Sequence, residues 1–257
     1  MENNFYNIFD SHAHYDDKWF DEDREVLLSS MKENGVCGIV NNAVDLKTAK
    51  VCIDFCEKYD FMYGAVGFHP ENLEDMPNDY LDRIAELLTH KKIVAVGETG
   101  LDYHWDISKD LQNRVFEEQI KLSLDVNMPI IVHDREAHGD TLNYLRKYKP
   151  KALVHCFSGS VEMMREVMRY GSYISLGGVV TFKNARHSVE VAKEVPIDRL
   201  LLETDCPYMS PVPFRGKRCD STMIKYTAEK IAEIRNTDVQ ELLNITAENA
   251  KRFYGID

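Results

Sequence analysis

Short apolar runs, most of them ending in polar or ionisable residues, alternate eight times with amphipathic stretches of helical period. The first run, Ile8-Phe9, leads into Asp10-Ser11-His12-Ala13-His14. An acidic amphipathic stretch follows over 21–34, with Val26, Leu27 and Met31 on one side and Gly35 where a C-cap glycine belongs. Further strands are expected at 36–40, 62–67, 93–96 running into Gly97-Glu98, 129–133, 152–155, 172–176 and 200–203. The helices between them are expected at 46–59, 79–89, 108–126, 141–147, 161–170 and 187–194. Two more helices close the chain. One covers 222–234; the other starts at Thr237, which with Gln240 makes a capping-box pattern, and runs towards Gly255 with a break expected near Thr246.

Alternation of this kind places parallel strands inside and helices outside. Eight units in 257 residues favour an α/β fold of the closed (β/α)8 type, a TIM barrel, over an open doubly wound sheet. No Gly-x-Gly-x-x-Gly follows the first strand, which removes the main reason to expect a dinucleotide-binding fold. No Gly-, Ser- or Pro-rich tract divides the chain, so residues 1–257 read as a single domain.

Composition narrows the setting. No apolar run approaches the ~18 residues needed to cross a bilayer, and Met1-Glu2-Asn3-Asn4-Phe5 lacks the basic and apolar regions of a secretory signal. The expectation is a cytoplasmic protein without membrane association or an obligate protein partner. The six cysteines include no CxxC pair; Cys52 and Cys56, four apart on one helix, read as small core residues with free thiols. The formal net charge of −12 argues against non-specific affinity for nucleic acid, which depends on Lys and Arg neutralising phosphates. Divalent cations and a few local arginines can nonetheless make one pocket positive within an acidic surface.

Barrel active sites sit at the C-terminal ends of the strands. There stand His12 and His14 on strand one, Glu98 on strand four, His133 on strand five, His155 on strand six and Glu203-Thr204-Asp205 after strand eight. Residues two apart on a strand share a face, so His12 and His14 aim at one spot. A lone histidine at a strand end is usually a satisfied structural residue. Four of them converging with carboxylates would leave several ionisable groups buried together at a cost of several kcal/mol, and a metal removes that difficulty. Six donors suit two divalent ions better than one, with Glu98 as the bridge. Mixed imidazole and carboxylate ligation favours Zn, Mn, Fe or Co, and a carboxylate-rich second position accepts Mg.

The blocks Asp10-Ser11-His12-Ala13-His14, Gly67-Phe68-His69-Pro70, Gly97-Glu98-Thr99-Gly100-Leu101-Asp102-Tyr103, His133-Asp134-Arg135-Glu136-Ala137, His155-Cys156-Phe157-Ser158-Gly159 and Leu202-Glu203-Thr204-Asp205-Cys206-Pro207-Tyr208 resemble the TatD family of metal-dependent hydrolases, within the amidohydrolase-like barrels, over nearly the whole chain. The segment 175–185 also fits. The resemblance implies His12, His14, Glu98, His133, His155 and Asp205 as metal ligands. It also implies a divalent-metal-dependent phosphodiesterase, usually described as a deoxyribonuclease, with some members acting as 3′→5′ exonucleases. One block departs. Family members commonly read Pro-His-Arg-Gly-Lys and then an Asn and a Pro, where this chain has Pro213-Phe214-Arg215-Gly216-Lys217-Arg218-Cys219-Asp220-Ser221. The differences at Phe214, Cys219 and Ser221 bear on the substrate, not on the metal.

The reaction expected is attack of a metal-activated water on a phosphodiester, with Asp205 as general base and Glu98 as bridge. Nucleic-acid ends or a small phosphodiester are the expected partners. Arg135, two residues beyond His133, is placed on phosphate oxygens by the family pattern, where spacing alone allows a surface salt bridge equally well. His69 is assigned to orient phosphate or protonate a leaving group, against a turn-capping role. Arg215 is taken as a phosphate contact, and Lys217 and Arg218 as solvated loop charges. Tyr103, His104 and Trp105 are candidates for stacking a base, although aromatic residues in such loops pack as often as they bind. His90, His138 and His187 read as surface residues. Two rival readings stand beside this one: hydrolysis of an amide, cyclic amide or lactone, or deamination, on the same barrel; and a non-catalytic protein in which metals only hold the fold. Many relatives in the wider superfamily carry a carboxylated lysine where this chain has Glu98.

Overall fold

The apolar runs form eight strands that pair in parallel in chain order: β1 (Ile8–Ala13), β2 (Val36–Asn42), β3 (Met62–Val66), β4 (Ile93–Asp102), β5 (Ile130–Arg135), β6 (Ala152–Val154), β7 (Tyr173–Leu176) and β8 (Leu200–Leu202). Helices α1 (Arg24–Ser30), α2 (Leu46–Lys58), α3 (Tyr80–Leu87), α4 (Lys109–Asp125), α5 (His138–Tyr148), α6 (Val161–Arg169) and α7 (Arg186–Glu194) lie between them, and α8 (Ile224–Arg235) and α9 (Val239–Tyr254) follow β8. The result is the expected TIM barrel. This computed structural model describes residues 5–256, so residues 1–4, read as lacking a signal, lie outside it. Among the described residues, no helix is long and apolar enough to cross a membrane.

Several element boundaries differ from the sequence expectation. The first helix is one short piece, and residues 31–35 turn rather than continue it, with Gly35 at φ 83°. The cap of α9 is Asp238, whose carboxylate accepts the Glu241 N–H at 2.9 Å, while Gln240 reaches instead to the backbone of Tyr6. No break occurs at Thr246; its hydroxyl donates back to the Leu242 carbonyl within a continuous helix. β4 and β5 run further than expected, through Asp102 and Arg135, and β8 ends at Leu202.

Strand side chains divide by alternation. Ile130 and Val132 pack outward with the helices, whereas Ile131 joins Phe9, Ala65, Ala95, Leu153, Tyr173 and Leu201 in a core inside the barrel. The end of α9 closes that core from beneath: Phe253 packs on Tyr173, Tyr254 stacks on Phe9, and the Tyr254 hydroxyl donates to the Ser11 carbonyl at 2.8 Å. In β5 and β6 the same phase carries His133 and His155 inward.

β1 and β4 need a change of phase. Strict alternation from inward Phe9 and Ala95 would turn His12 and Glu98 away from the interior. In both strands the register slips, Asp10 to Ala13 spanning the stretch of β2 from Ile39 to Asn41, and Val96 to Thr99 spanning Ile130 to Val132. Three steps face two, as in a β-bulge, and the side chains beyond it exchange faces. Ala13 and Leu101 thus pack in the outer cluster, and Thr99 accepts from Gln119 of α4. Glycine is required at the bulge. At Gly97, with φ 133°, a Cβ would lie 2.8 Å from the Ile131 carbonyl oxygen.

The seam between β8 and β1 is held mainly by side chains. One parallel bridge joins Ala13 to Cys206, and the Asp205 N–H donates to the His12 carbonyl. Beside it, the fully buried Asp10 carboxylate accepts from the Thr204 N–H and hydroxyl, the Ser221 hydroxyl and the His12 N–H, and the Ser11 hydroxyl donates to the Leu202 carbonyl. Burial pushes the Asp10 carboxyl up to about 7. Thr204→Val removes one donor to this carboxylate and the acceptor of the Cys206 N–H, and should lower unfolding stability by about 1–3 kcal/mol in urea denaturation. The raised Asp10 value means its ionisation costs the fold: the penalty is absent below about pH 4 and grows as pH rises through about 7. In chelated protein, Asp10→Asn should flatten that part of the stability curve.

Candidate metal centre

At the mouth of the barrel six donor side chains meet. Nε2 of His12 and Nε2 of His14 are 3.0 Å apart, both 3.3 Å from Glu98 Oε2 and 3.7 and 3.5 Å from Asp205 Oδ1. On the other side of the same carboxylate, Glu98 Oε1 lies 2.7 Å from His155 Nε2 and 3.0 Å from His133 Nδ1. His69 Nε2 approaches Oε1 at 3.6 Å. Glu98, His12 and His155 are buried. All six residues expected as ligands are therefore brought together.

Electrostatics in this space are dominated by mutual contacts. Burial opposes charge on Glu98, but His155, His12 and His69 hold its carboxyl well below the usual range. Burial likewise opposes charge on Asp205, and His14, His12 and His155 bring it below the usual value. Burial disfavours the imidazolium of His133, yet Asp102 and Glu98 lift it to about 9; His155 and His14 are also raised, against burial, by their carboxylate neighbours. His12 is lowered by burial and by His155 beside it. For Glu98, Asp205 and His133 the effect that opposes burial comes from neighbours of opposite charge.

The donor set fits a divalent metal. His14 Nδ1 donates to the Asn42 carbonyl at 2.9 Å, which leaves a lone pair on Nε2 aimed at the cluster in the neutral ring. Three groups offer donor atoms mutually within 4.8 Å: His12, His155 and Asp205; His12, His14 and Glu98; and His69, Glu98 and His133. Nitrogen and carboxylate donors at this density suit Zn, Mn, Fe or Co.

The remaining expected residues fall around the rim. His69 precedes a short 3-10 turn (Pro70–Asn72), and its Nδ1 accepts the Glu71 N–H at 3.2 Å. It therefore caps a turn and faces the cluster at once. Arg135, half exposed, stands 4.0 Å from Asp102. Arg215 lies over the Phe182 ring, 4.4 Å from its centroid. Tyr103 is engaged on every polar side: its hydroxyl donates to Asp140 and accepts from Asn113, and Lys109 lies over its ring. His104 pairs with Glu136, and Trp105 is exposed. Arg218 is not a solvated loop charge. Both terminal nitrogens pair with Asp23, at 2.7 and 2.6 Å, and one also donates to the Trp19 carbonyl, tying the loop after β8 to the loop after β1. His138 pairs with Asp134 and His90 with Glu57. Cys52 and Cys56 are buried free thiols, as expected.

Three residues behind the candidate ligands had no role in the sequence reading. Asp102 contacts His133 Nε2 at 2.9 Å, Asn42 contacts His14, and buried Glu203 accepts the Cys156 N–H and the Ser175 hydroxyl 3.7 Å from His155 Nδ1. Asp102 had a legible signal, since it lies four residues after Glu98 on one strand and so on the same face. Asn42 acts through its backbone and had none.

A family model described as TatD related DNase matches residues 9–255. An uncharacterized metal-dependent hydrolase of Bacillus subtilis strain 168, YabD, is 46% identical, over 97% of this chain and 100% of its own length. YcfH of Escherichia coli K12, described in the same words, is 35% identical over 97% of this chain and 96% of its own. The crystal structure of YjjV, a TatD homologue from Escherichia coli K12, superposes with a TM-score of 0.90 at 28% identity, covering 98% of this chain and 99% of that one.

Binding of an ion to the folded state alone adds about 2.7 kcal/mol of stability at roughly a hundred times its dissociation constant. Zn²⁺ or Mn²⁺ should accordingly raise the melting temperature, reversibly with chelator. The rise should shrink as pH falls from about 8 to about 6, where protons compete for the imidazoles. His12→Ala, which removes one of the two nitrogens facing both carboxylates, should sharply reduce the response.

Proposed function

Since the chain belongs to the TatD family of metal-dependent hydrolases, we propose that it cleaves phosphodiester bonds, at nucleic-acid ends or in a small phosphodiester, with two divalent ions. The observation that carries this reading is the division of Glu98: one oxygen faces His12 and His14, the other faces His133 and His155. A carboxylate so divided could serve two ions at once, and such ions would supply charge neutralisation to an in-line displacement. Ions held by His12, His14, Glu98, His133, His155 and Asp205 would supply Lewis acidity and a more acidic water.

The chain's own groups do the rest. Asp205, ionised and open to the mouth on one side, takes the proton from the attacking water. His69 is held as a neutral donor. Burial brings its imidazole down to about 3, and the Glu71 N–H occupies Nδ1, so Nε2 carries the hydrogen and points into the site. A group of that kind is suited to orienting a phosphoryl oxygen, which favours that role over protonation of a leaving group. Arg135, near Asp102 and half exposed, is assigned to hold a second phosphate oxygen.

Metal titration with bis-p-nitrophenyl phosphate is the test. Turnover should require Mn²⁺, Zn²⁺ or a similar ion. Asp205→Asn should lower kcat by about 10²–10⁴-fold with KM much less changed. His69→Ala should lower kcat while leaving the metal-dependent rise in melting temperature intact. Turnover of dihydropyrimidines with none of phosphodiesters would overturn the reading in favour of amide hydrolysis; metal binding without any hydrolysis would favour a structural role.

A further inference from the structure

Asp102 is one of the most constrained side chains near the mouth, and no step above uses it. Its backbone is gripped by Gln112 of α4, whose side-chain oxygen accepts the Asp102 N–H and whose amide donates to the Asp102 carbonyl, both at 2.9 Å. Gln112 is itself fully buried, and its amide also reaches the Ile107 carbonyl. One carboxylate oxygen accepts the His104 N–H at 3.0 Å; the other faces His133 Nε2 at 2.9 Å. Gly100, between Glu98 and Asp102, allows β4 to lie this close to β5: a Cβ there would meet the His133 carbonyl oxygen at 2.0 Å.

We infer that Asp102 is a positioning residue that locks His133 in the tautomer with its hydrogen on Nε2, so that Nδ1 is the nitrogen presented to metal. The inference rests on the reading of the cluster as a metal centre. A carboxylate accepts only, and both ring nitrogens face one, Nε2 that of Asp102 and Nδ1 that of Glu98. A cation shared by Nδ1 and Glu98 would take the place of the proton between them, which leaves Nε2 as the donor. In the neutral ring the lone pair then falls on Nδ1, the atom 3.0 Å from Glu98 Oε1 and 3.2 Å from His155 Nε2. His14 uses the opposite polarity, donating from Nδ1 to Asn42 and presenting Nε2. The two imidazoles thus offer different nitrogens because their outer partners differ, one a backbone carbonyl and the other a carboxylate anchored through Gln112 to a helix. Outer partners of this kind typically change metal affinity by about 10–100-fold when removed.

Two measurements on the full chain test this. In competition with a chromophoric chelator, Asp102→Ala should bind Zn²⁺ about 10–100-fold more weakly than wild type. Asp102→Asn should recover most of the loss, because its amide oxygen still accepts from Nε2–H. Histidine-labelled ¹⁵N spectra of the zinc-loaded wild type, with His133 assigned by its absence in His133→Gln, should show Nε2 protonated with a slowly exchanging hydrogen and Nδ1 metal-shifted; this holds the inference open to test even if Asp102→Ala does not fold. Zinc affinity in Asp102→Ala equal to wild type, equal weakening in both variants, or a His133 ring protonated on Nδ1 would overturn it. A wild-type chain that takes up no zinc would overturn the metal reading as well, and is told apart because it appears before any substitution.

Discussion

A single buried carboxylate, Glu98, faces His12 and His14 through one oxygen and His133 and His155 through the other. Such a group is tolerable in the interior only with cationic charge close by. Carboxylate neighbours raise the imidazoles of His14, His133 and His155, the same attraction that a bound cation would feel. Both bulges, the glycines of β4 and the side chains behind the ligands can be understood as what is needed to bring that carboxylate and its partners to one point.

Convergence is maintained from outside the cluster. His14 and His133 are each held on their far nitrogen, and buried Glu203 joins the end of β6 to β7 and β8 beside His155. Asp10 performs a related task at the seam: it stands beside His12, binds Thr204 next to Asp205, and substitutes for the ladder that β8 and β1 otherwise lack. The strand that supplies two candidate ligands and the loop that supplies a third are thereby joined by one carboxylate. Stability of the barrel and geometry of the site share residues there, so a substitution at Asp10 is expected to disturb both.

Much of this was legible beforehand. Continuous apolar runs such as Ile130-Ile131-Val132 announce strands buried on both faces, and their alternation with helical stretches leads to a barrel. Barrel chemistry gathers at strand ends, where His12, His14, Glu98, His133, His155 and the run Glu203-Thr204-Asp205 stand, and the family resemblance singled out Asp205 within that run. The extent of α1, the Asp238 cap and the unbroken α9 were not legible, because neighbouring candidates for a cap or a break are separated only by contacts with the rest of the fold. Arg218 was misjudged for a similar reason: Asp23, its partner, is distant in sequence and meets it only when the loops after β1 and β8 lie side by side.

Residue type and order by themselves determined a (β/α)8 barrel and most of the side chains that gather at its mouth, because apolar periodicity and the polarity of strand ends are local properties of the chain. Only the tertiary structure decided that His12 and Glu98 face inward. Counting by twos from Phe9 and Ala95 turns both away, and the correction comes from register slips against β2 and β5. Which nitrogen each histidine presents was likewise decided by groups remote in sequence, Asn42 for His14 and Asp102 for His133. The physical reason is the same in both cases: strand phase and imidazole tautomer are set by what lies across the hydrogen bond, and a linear sequence does not say what that will be.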